Sequence, residues 1–441
     1  MTQFRVLPIR RGDAYLLKSK RGNYLVDGGA YGCGLPKMLQ DRKTRKLRAA
    51  ICSCCCPERL GGILELLESD FHATEYWLPE SLGVLIETAR RFNGDWNGWL
   101  DTMNNKRENQ PSPDHQRLWP DRAHPLSENH SQRYMEAATA LIGLALTACL
   151  GHSPYGTPSR NAFFGGATTP DQGMEHHFCI TLATLFDRIS SGGQKGQAPM
   201  NHFIKKMGWE LFFGHEPEDL ALLCGRLLHA KSDQMPGGSA RSTRSTVRAL
   251  SMAAMTATLL SKTSARLRFF RHTKRKEDNL IARNPLKCIN GIEVSPLSDL
   301  EPITTPKMLA LQTQKMAARK NGLVFQYGDA KCGVLFCGDT RMNFLEKTER
   351  ISLDRPTVIA APRQGSSAAD RAYDFIHSQH PTLDVWVRSH FSNARKISVY
   401  FKKRPNKICL NNCRNLTLQE ILLQFTDSRW NRISGDDCAC G

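Results

Sequence analysis

With 441 residues, 40% of them hydrophobic and 23% charged, the chain is excluded from the disordered class and is long enough to bury a sizeable core across two or three domains. Its 60 Lys+Arg against 42 Asp+Glu leave a formal charge of +18, a field that favours polyanionic partners, nucleic acid first. The alternative is a basic surface with no specific ligand.

The longest apolar stretch, 141–150, falls short of the ~20 residues of a spanning helix. No apolar run follows the first residues, so neither a membrane span nor a secretory leader is predicted, and a cytoplasmic location is expected. Fifteen irregularly spaced cysteines point the same way, to free or metal-bound thiols in a reducing compartment.

In chain order, residues 4–8, 14–18 and 23–29 predict short strands with turns at Gly12-Asp13 and Arg21-Gly22. A fourth strand runs into Ile51-Cys52-Ser53-Cys54-Cys55-Cys56-Pro57-Glu58-Arg59-Leu60-Gly61-Gly62, a loop that opens a helix with Leu60, Ile63, Leu64 and Leu67 on one face. Residues 72–79 predict the next strand and 84–92 its helix. Polar or glycine-rich loops follow at 104–128, 161–172 and 190–198, and helices at 134–150 and 218–230.

Residues 241–276 are the most basic part of the chain. Arg241, Arg244, Arg248, Lys262, Arg266, Arg268, Arg271, Lys274, Arg275 and Lys276 bracket an apolar, helix-like run at 249–260. One reading is a basic arm that meets phosphates. The other is a solvated helix face followed by an ordinary strand at 266–272.

Residues 321–328 and 333–340 predict a hairpin of buried strands that ends at Asp339. A strand then leads to Arg363-Gln364-Gly365-Ser366, followed by a helix at 371–379 and a strand at 383–389. The closing segment, 397–441, is read as α/β with a helix at 416–425.

This order of strands, with Asp27-Gly28-Gly29 after the third and Gly61-Gly62 closing the loop, resembles the metallo-β-lactamase fold. The resemblance is closest to its competence-type branch, whose members open with a similar G-D-A-x-L strand. It covers about 1–92 and 320–400. It implies an α/β protein, an αββα sandwich with its first half at 1–92, a large, basic, partly helical insertion at 93–319, and its second half with a C-terminal segment at 320–441. In that family the loop reads Thr-His-x-His-x-Asp-His-x-Gly-Gly, and its histidines and aspartate hold two zinc ions. Here Ser53 stands at the threonine, Cys54 and Cys56 at the first two histidines, Glu58 at the aspartate and Arg59 at the third histidine. Asp339 matches the aspartate that bridges the metals. Arg363 and Gln364 stand at two further histidine positions, and Ser389, His390 and Asn393 match a polar loop.

An arginine cannot be deprotonated in a protein, so it cannot coordinate a metal, and its charge repels a dication. Arg59 and Arg363 therefore argue against a two-zinc hydrolytic site. Two readings remain. In one, Cys54, Cys56 and Asp339, with Cys52, Cys55 or His390, hold a single structural zinc. In the other no metal binds, the cysteines are buried, and Arg59 and Arg363 neutralise Glu58 and Asp339. A reactive thiol in this loop lacks a recognisable base.

Cys409, Cys413, Cys438 and Cys440 could supply four thiolates, but their spacings match no common zinc pattern, and they are read as structural cysteines. His176-His177 is read as surface chemistry, and Gly192-Gly193 and Gly237-Gly238 lack a phosphate-binding frame. The expected function is a catalytically degenerate family member, a binding or assembly component in a nucleic-acid-related process, with nucleic acid or a protein as its partner. The alternative is an active metal-dependent hydrolase, a phosphodiesterase or nuclease, with a rebuilt Cys/Asp site.

Overall fold

The computed structural model describes residues 1–90, 241–273, 275–276, 284–294, 322–389, 397–410, 418–435 and 438, with single helical positions between 134 and 229 and at 313 and 316. The predicted loops at 104–128, 161–172 and 190–198 lie outside these residues, as do His176, His177, Gly192, Gly193, Gly237, Gly238, Lys274, His390, Asn393, Cys413 and Cys440. Described positions inside the helices predicted at 134–150 and 218–230 are helical.

The chain opens with the antiparallel strands β1 (Thr2–Val6), β2 (Tyr15–Ser19) and β3 (Gly22–Val26). It then alternates through α1 (Leu35–Asp41), β4 (Lys46–Ile51), α2 (Pro57–Glu68), β5 (His72–Pro79) and α3 (Glu80–Arg90). After α4 (Arg241–Lys262) come β6 (Arg266–His272), β7 (Leu286–Cys288), β8 (Gly291–Val294), β9 (Phe325–Gly328) and β10 (Gly333–Phe336). A short pair, β11 (Ile351–Leu353) and β13 (Ile376–Ser378), flanks β12 (Thr357–Ala360) and 3-10 turns at Pro362–Gly365 and Ser367–Phe375. The chain closes with β14 (Val385–Arg388), α5 (Val399–Lys402), β15 (Lys407–Cys409), β16 (Ile421–Thr426) and β17 (Arg429–Ser434).

A nine-stranded sheet runs β17-β16-β1-β2-β3-β4-β5-β6-β8, parallel from β3 to β6 and antiparallel elsewhere. A six-stranded sheet runs β15-β14-β12-β10-β9-β7, parallel from β15 to β10. Alternate residues of both, Phe4, Val6, Tyr15, Leu17, Tyr24 and Val26 from one and Phe325, Tyr327, Val334, Phe336, Val358 and Val387 from the other, form a single buried cluster. That is the period-2 signature of two sheets packed face to face. Ring pairs cross the gap, Phe4 to Phe336 at 6.0 Å and Trp77 to Phe325 at 6.1 Å between centroids. The opposite side chains of the six-stranded sheet, Leu335, Ile359 and Trp386, pack in a second cluster with Tyr373 and Phe401. The class is mixed α/β.

The chain divides into two compact units, and all three sheets belong to the first: Met1–Gly83, Ser264–Asp299 and Ala318–Gly441. The expected insertion is thus interrupted. Ser264–Asp299 belongs with the sheets because β6 pairs in parallel with β5 and β7 pairs with β9.

The second unit, Val84–Thr263 and Leu300–Ala317, holds α4. From Val247 to Leu260 every residue of α4 is buried except the half-buried Arg248, so the run is a core helix, not a solvated face. Its hydroxyls bond back to the helix, Thr256 Oγ1 to Met252 O at 2.7 Å and Thr258 Oγ1 to Ala254 O at 3.0 Å. No helix among the described residues is long and apolar enough to cross a membrane.

Two predicted helices take other forms. Residues 371–379 form the end of a 3-10 turn and β13. Residues 421–425 of the helix predicted at 416–425 instead lie in β16 beside β1, with Ile421 and Leu423 facing the core. Asp427 and Ser428, at φ 52° and 60°, make the tight turn that folds β17 back against it.

Candidate functional site

Parallel strands of both sheets release their loops at one end of the two-sheet unit. β3 ends at Asp27, β4 at Cys52-Ser53, β10 at Gly338-Asp339, β12 at Arg363 and β14 at Ser389; Asp13 precedes β2. The loops are tied together by the backbone: Leu323 N donates to Ser53 O at 2.8 Å, and Arg363 N donates to Gly338 O at 2.9 Å. Asp27, Arg363 and Gln364 adopt left-handed backbone angles, φ 60°, 45° and 60°, where residues with a Cβ seldom sit except at sites the surroundings over-determine.

Arg59 reaches into this place from the first turn of α2. Two glycine contacts seat that helix. A Cβ on Gly62 would lie 2.0 Å from Gly28 O, and one on Gly12 would lie 1.6 Å from Glu58 O. The loop after β3 and the turn before β2 therefore press directly on the start of α2, carrying Asp27 and Asp13 with them.

The guanidinium of Arg59 is 1% exposed and meets three carboxylates, those of Asp13, Asp27 and Asp339. Asp339 is held in bidentate fashion, Nε to Oδ2 at 3.2 Å and Nη2 to Oδ1 at 3.1 Å. Nη1 donates to Asp27 and, at 3.1 Å, to Ser53 Oγ, while Nη2 also pairs with Asp13. Ser53 ties Asp27 down twice more, through its amide at 2.7 Å and its hydroxyl at 2.8 Å. Asp13 accepts from Ser389 and from the Gln364 side chain, and Tyr15 donates to Ser389 Oγ at 2.8 Å.

Burial dominates the titration of these groups. It pushes Asp27 up to about 6, against the pull of Arg59, and it raises Asp13 as well. Burial opposes the charge on Arg59, but the carboxylates outweigh it and hold the guanidinium firmly protonated. The phenol of Tyr15, buried beside Asp13, is pushed well above its usual range.

Cys54 and Cys56 lie at the edge of this cluster, joined as a disulfide, with Cys56 Sγ 3.9 Å from Asp339 Oδ2. The bond differs from the free thiols expected of a reducing compartment. Once reduced, Cys54, Cys56 and Asp339 form a buried group that could hold a metal ion; as a disulfide the two sulfurs carry no thiolate to donate. The neighbouring thiols stay protonated. Burial pushes Cys52 well up and Cys55 to about 12, which removes them as nucleophiles.

The ligand set does not fit a dinuclear zinc centre. The place where a dication would meet Asp27 and Asp339 holds a guanidinium, and a guanidinium coordinates nothing. With 1% exposure it cannot donate to a bound substrate either.

Of the residues predicted from sequence, Ser53, Cys54, Cys56, Arg59, Gln364 and Asp339 come together. The pairing of charges differs from expectation. Arg59 meets Asp13, Asp27 and Asp339 rather than Glu58, and it is Arg59 that pairs with Asp339. Asp13 and Asp27 are the residues that sequence reasoning passed over, as a turn and a strand end. The signal was present: a buried arginine needs carboxylates, and both lie in the motifs that carry the resemblance.

The basic arm is divided. Arg241, Arg244 and Arg248 lie on α4, and Arg248 is half-buried. Arg268 is buried, paired with Glu75 at 3.3 Å and with Glu293, and stacked 4.8 Å over the Trp77 ring, so it is an internal residue. Arg271 pairs with Glu80 at 2.7 Å. Arg266 and Arg275 are exposed, and Lys276 is half-buried.

Compared with protein-family models and with curated proteins, the chain matches none of either.

Proposed function

We propose that this protein is a catalytically degenerate member of the metallo-β-lactamase fold superfamily that works as a binding or assembly component in a nucleic-acid-related process. The observation that carries the reading is Arg59, whose single fixed charge stands among Asp13, Asp27 and Asp339 at the strand ends. In an active member that place belongs to metal, which lowers the pKa of a bound water and polarises the scissile group. The two packed sheets, with loops released at one end, support the superfamily assignment. The charge of +18 supports a polyanionic partner.

The test is hydrolysis of DNA, RNA and a generic phosphodiester, with and without added zinc or manganese, beside the Asp339→Ala variant. No turnover in either protein is expected. Turnover that vanishes in Asp339→Ala, together with an ion lost from the same variant, would overturn the reading. One observation favours the alternative, a hydrolase with a rebuilt site: reduced Cys54 and Cys56 beside Asp339 could hold one ion.

A further inference from the structure

The parallel strands that release the Arg59 loops at one end begin at the other, and that opposite end is basic. β3 starts at Gly22 and β4 at Lys46, and the six residues of β4 set this edge about 20 Å from the loop that follows. Six exposed cations stand here: Lys20 and Arg21 in the turn between β2 and β3, Lys43 and Arg45 before β4, and Lys46 and Arg48 on it. β6, parallel to β4 through β5, begins on the same side with the exposed Arg266.

Hydrogen bonds hold these segments side by side. Asn23 Nδ2 donates to Lys46 O at 3.1 Å, and Lys18 Nζ donates to Arg42 O at 2.8 Å. A Cβ on Gly22 would lie 3.0 Å from Arg48 Cβ, so the turn rests on the side chain of Arg48. The loop before β4 is fixed as well. Lys43 N donates to Gln40 O at 2.8 Å and Thr44 N to Leu39 O at 3.0 Å, and Thr44 is buried. β2, β3 and β4 are neighbours in the sheet, so the cations spread over ~10 Å of edge.

The fold leaves this charge largely unmatched. Among the described residues no ion pair holds any of the six exposed cations. Glu420 is taken up by Arg5 and Arg42, at 2.8 and 2.7 Å, and Glu75 by Arg268 and the Trp77 indole. Asp41 and Asp70 remain exposed on the neighbouring segments. Lys18 registers the excess: burial lowers its ammonium below the usual range, and Arg5 and Arg42 lower it further, against the pull of Glu420. No exposed side chain of 18–23 or 42–48 is aromatic or a large hydrophobe. These segments therefore offer no platform for splayed bases and no apolar wedge for a membrane. Phosphate contact needs only charge.

We propose that this edge, formed by Lys20, Arg21, Lys43, Arg45, Lys46 and Arg48, docks the phosphate backbone of duplex DNA without reading its sequence. Such docking rests on the nucleic-acid part of the proposed function and not on the Arg59 cluster. Each phosphate neutralised releases counterions, so the contact declares itself in the salt dependence of binding.

The full chain is titrated with a short DNA duplex of mixed sequence across a salt series, beside phosphatidylserine–phosphatidylcholine vesicles and polyglutamate. Binding to the duplex is expected, with a slope of about −0.9 per phosphate contacted. Arg21→Glu with Lys46→Glu should lessen that slope by about 2. Arg341→Glu with Lys347→Glu, an equal change of charge at other exposed residues, should not alter it. Should the first variant fail to fold, lysine acetylation of the unaltered chain decides: the duplex should protect Lys20, Lys43 and Lys46 and leave Lys347 reactive. Equal slopes in both variants, or no protection of those three lysines, would overturn this surface and leave the proposed function standing. Tighter binding to the vesicles or to polyglutamate than to the duplex would overturn it too. No binding of the duplex by the unaltered chain would overturn both.

Discussion

Arg59 is a buried cation whose partners are all supplied by the fold, and such a group is far more costly to remove than to keep. Breaking a buried ion pair from one side leaves uncompensated charge and costs about 3–5 kcal/mol. Arg59→Met, which keeps the volume and loses the charge, should therefore lower stability by roughly that amount in urea or thermal unfolding. A change under about 0.5 kcal/mol, the range of ordinary surface substitutions, would mean that the guanidinium does not hold the cluster. Arg59→Lys should also destabilise, because an ammonium cannot reproduce the bidentate grip on Asp339.

The pH dependence follows from Asp27. Burial raises its carboxyl to about 6 in the folded protein, against about 4 in an unfolded chain. Between those values the folded state holds a proton that the unfolded state releases, so this contribution to stability is full below about pH 4 and is lost as pH rises to about 6. The stability of the natural chain relative to Asp27→Asn should accordingly fall across that window. A relative stability that rises from pH 4 to pH 6 would show that Arg59 outweighs burial at Asp27.

At the scale of the element, the start of α2 depends on backbone contacts that only glycine permits. Gly62→Ala drives a Cβ to 2.0 Å from Gly28 O and should cost about 3 kcal/mol or more. Gly32 meets nothing within 4 Å, so Gly32→Ala should cost only the strain of its left-handed angle, about 1–2 kcal/mol. Equal losses in chemical denaturation would contradict the account of how α2 is seated.

The same scale shows what the sequence could and could not reveal. The strands of the first ninety residues were legible because alternating apolar residues, Asp-Gly-Gly and Gly-Gly punctuate them, and they fall where expected. β16 was not legible, since its apolar residues at 421, 422, 423 and 425 fit a helix as well as a strand. Its state is set by distant groups: β1 alongside, and Arg5 and Arg42 pairing with Glu420 at 2.8 and 2.7 Å. At the site, Ser53, Cys54, Cys56, Arg59, Gln364 and Asp339 were readable one by one. Which carboxylates surround Arg59 depended on how the turn before β2 and the end of β3 meet α2, which no local pattern encodes.

For the whole molecule, the charge of +18 is spent unevenly. Arg268 is committed to Glu75, Glu293 and Trp77, whereas Arg266 and Arg275 face solvent. If the chain binds duplex DNA, affinity should fall with salt at a slope of about −0.9 per phosphate contacted. Arg266→Glu with Arg275→Glu should lower that slope, and Arg268→Met should lower stability instead. A slope unaffected by the double variant would move the interface elsewhere on the chain.

We propose that the Arg59 guanidinium, set among Asp13, Asp27 and Asp339, stands in place of a metal. Its most direct test is a crystal of the full chain soaked in zinc, with anomalous diffraction recorded on both sides of the zinc edge. No peak is expected within coordination distance, about 2.0–2.2 Å, of those three carboxylates, and density for Arg59 is expected between them. A zinc peak shared by Asp27 and Asp339, with Arg59 displaced, would contradict it.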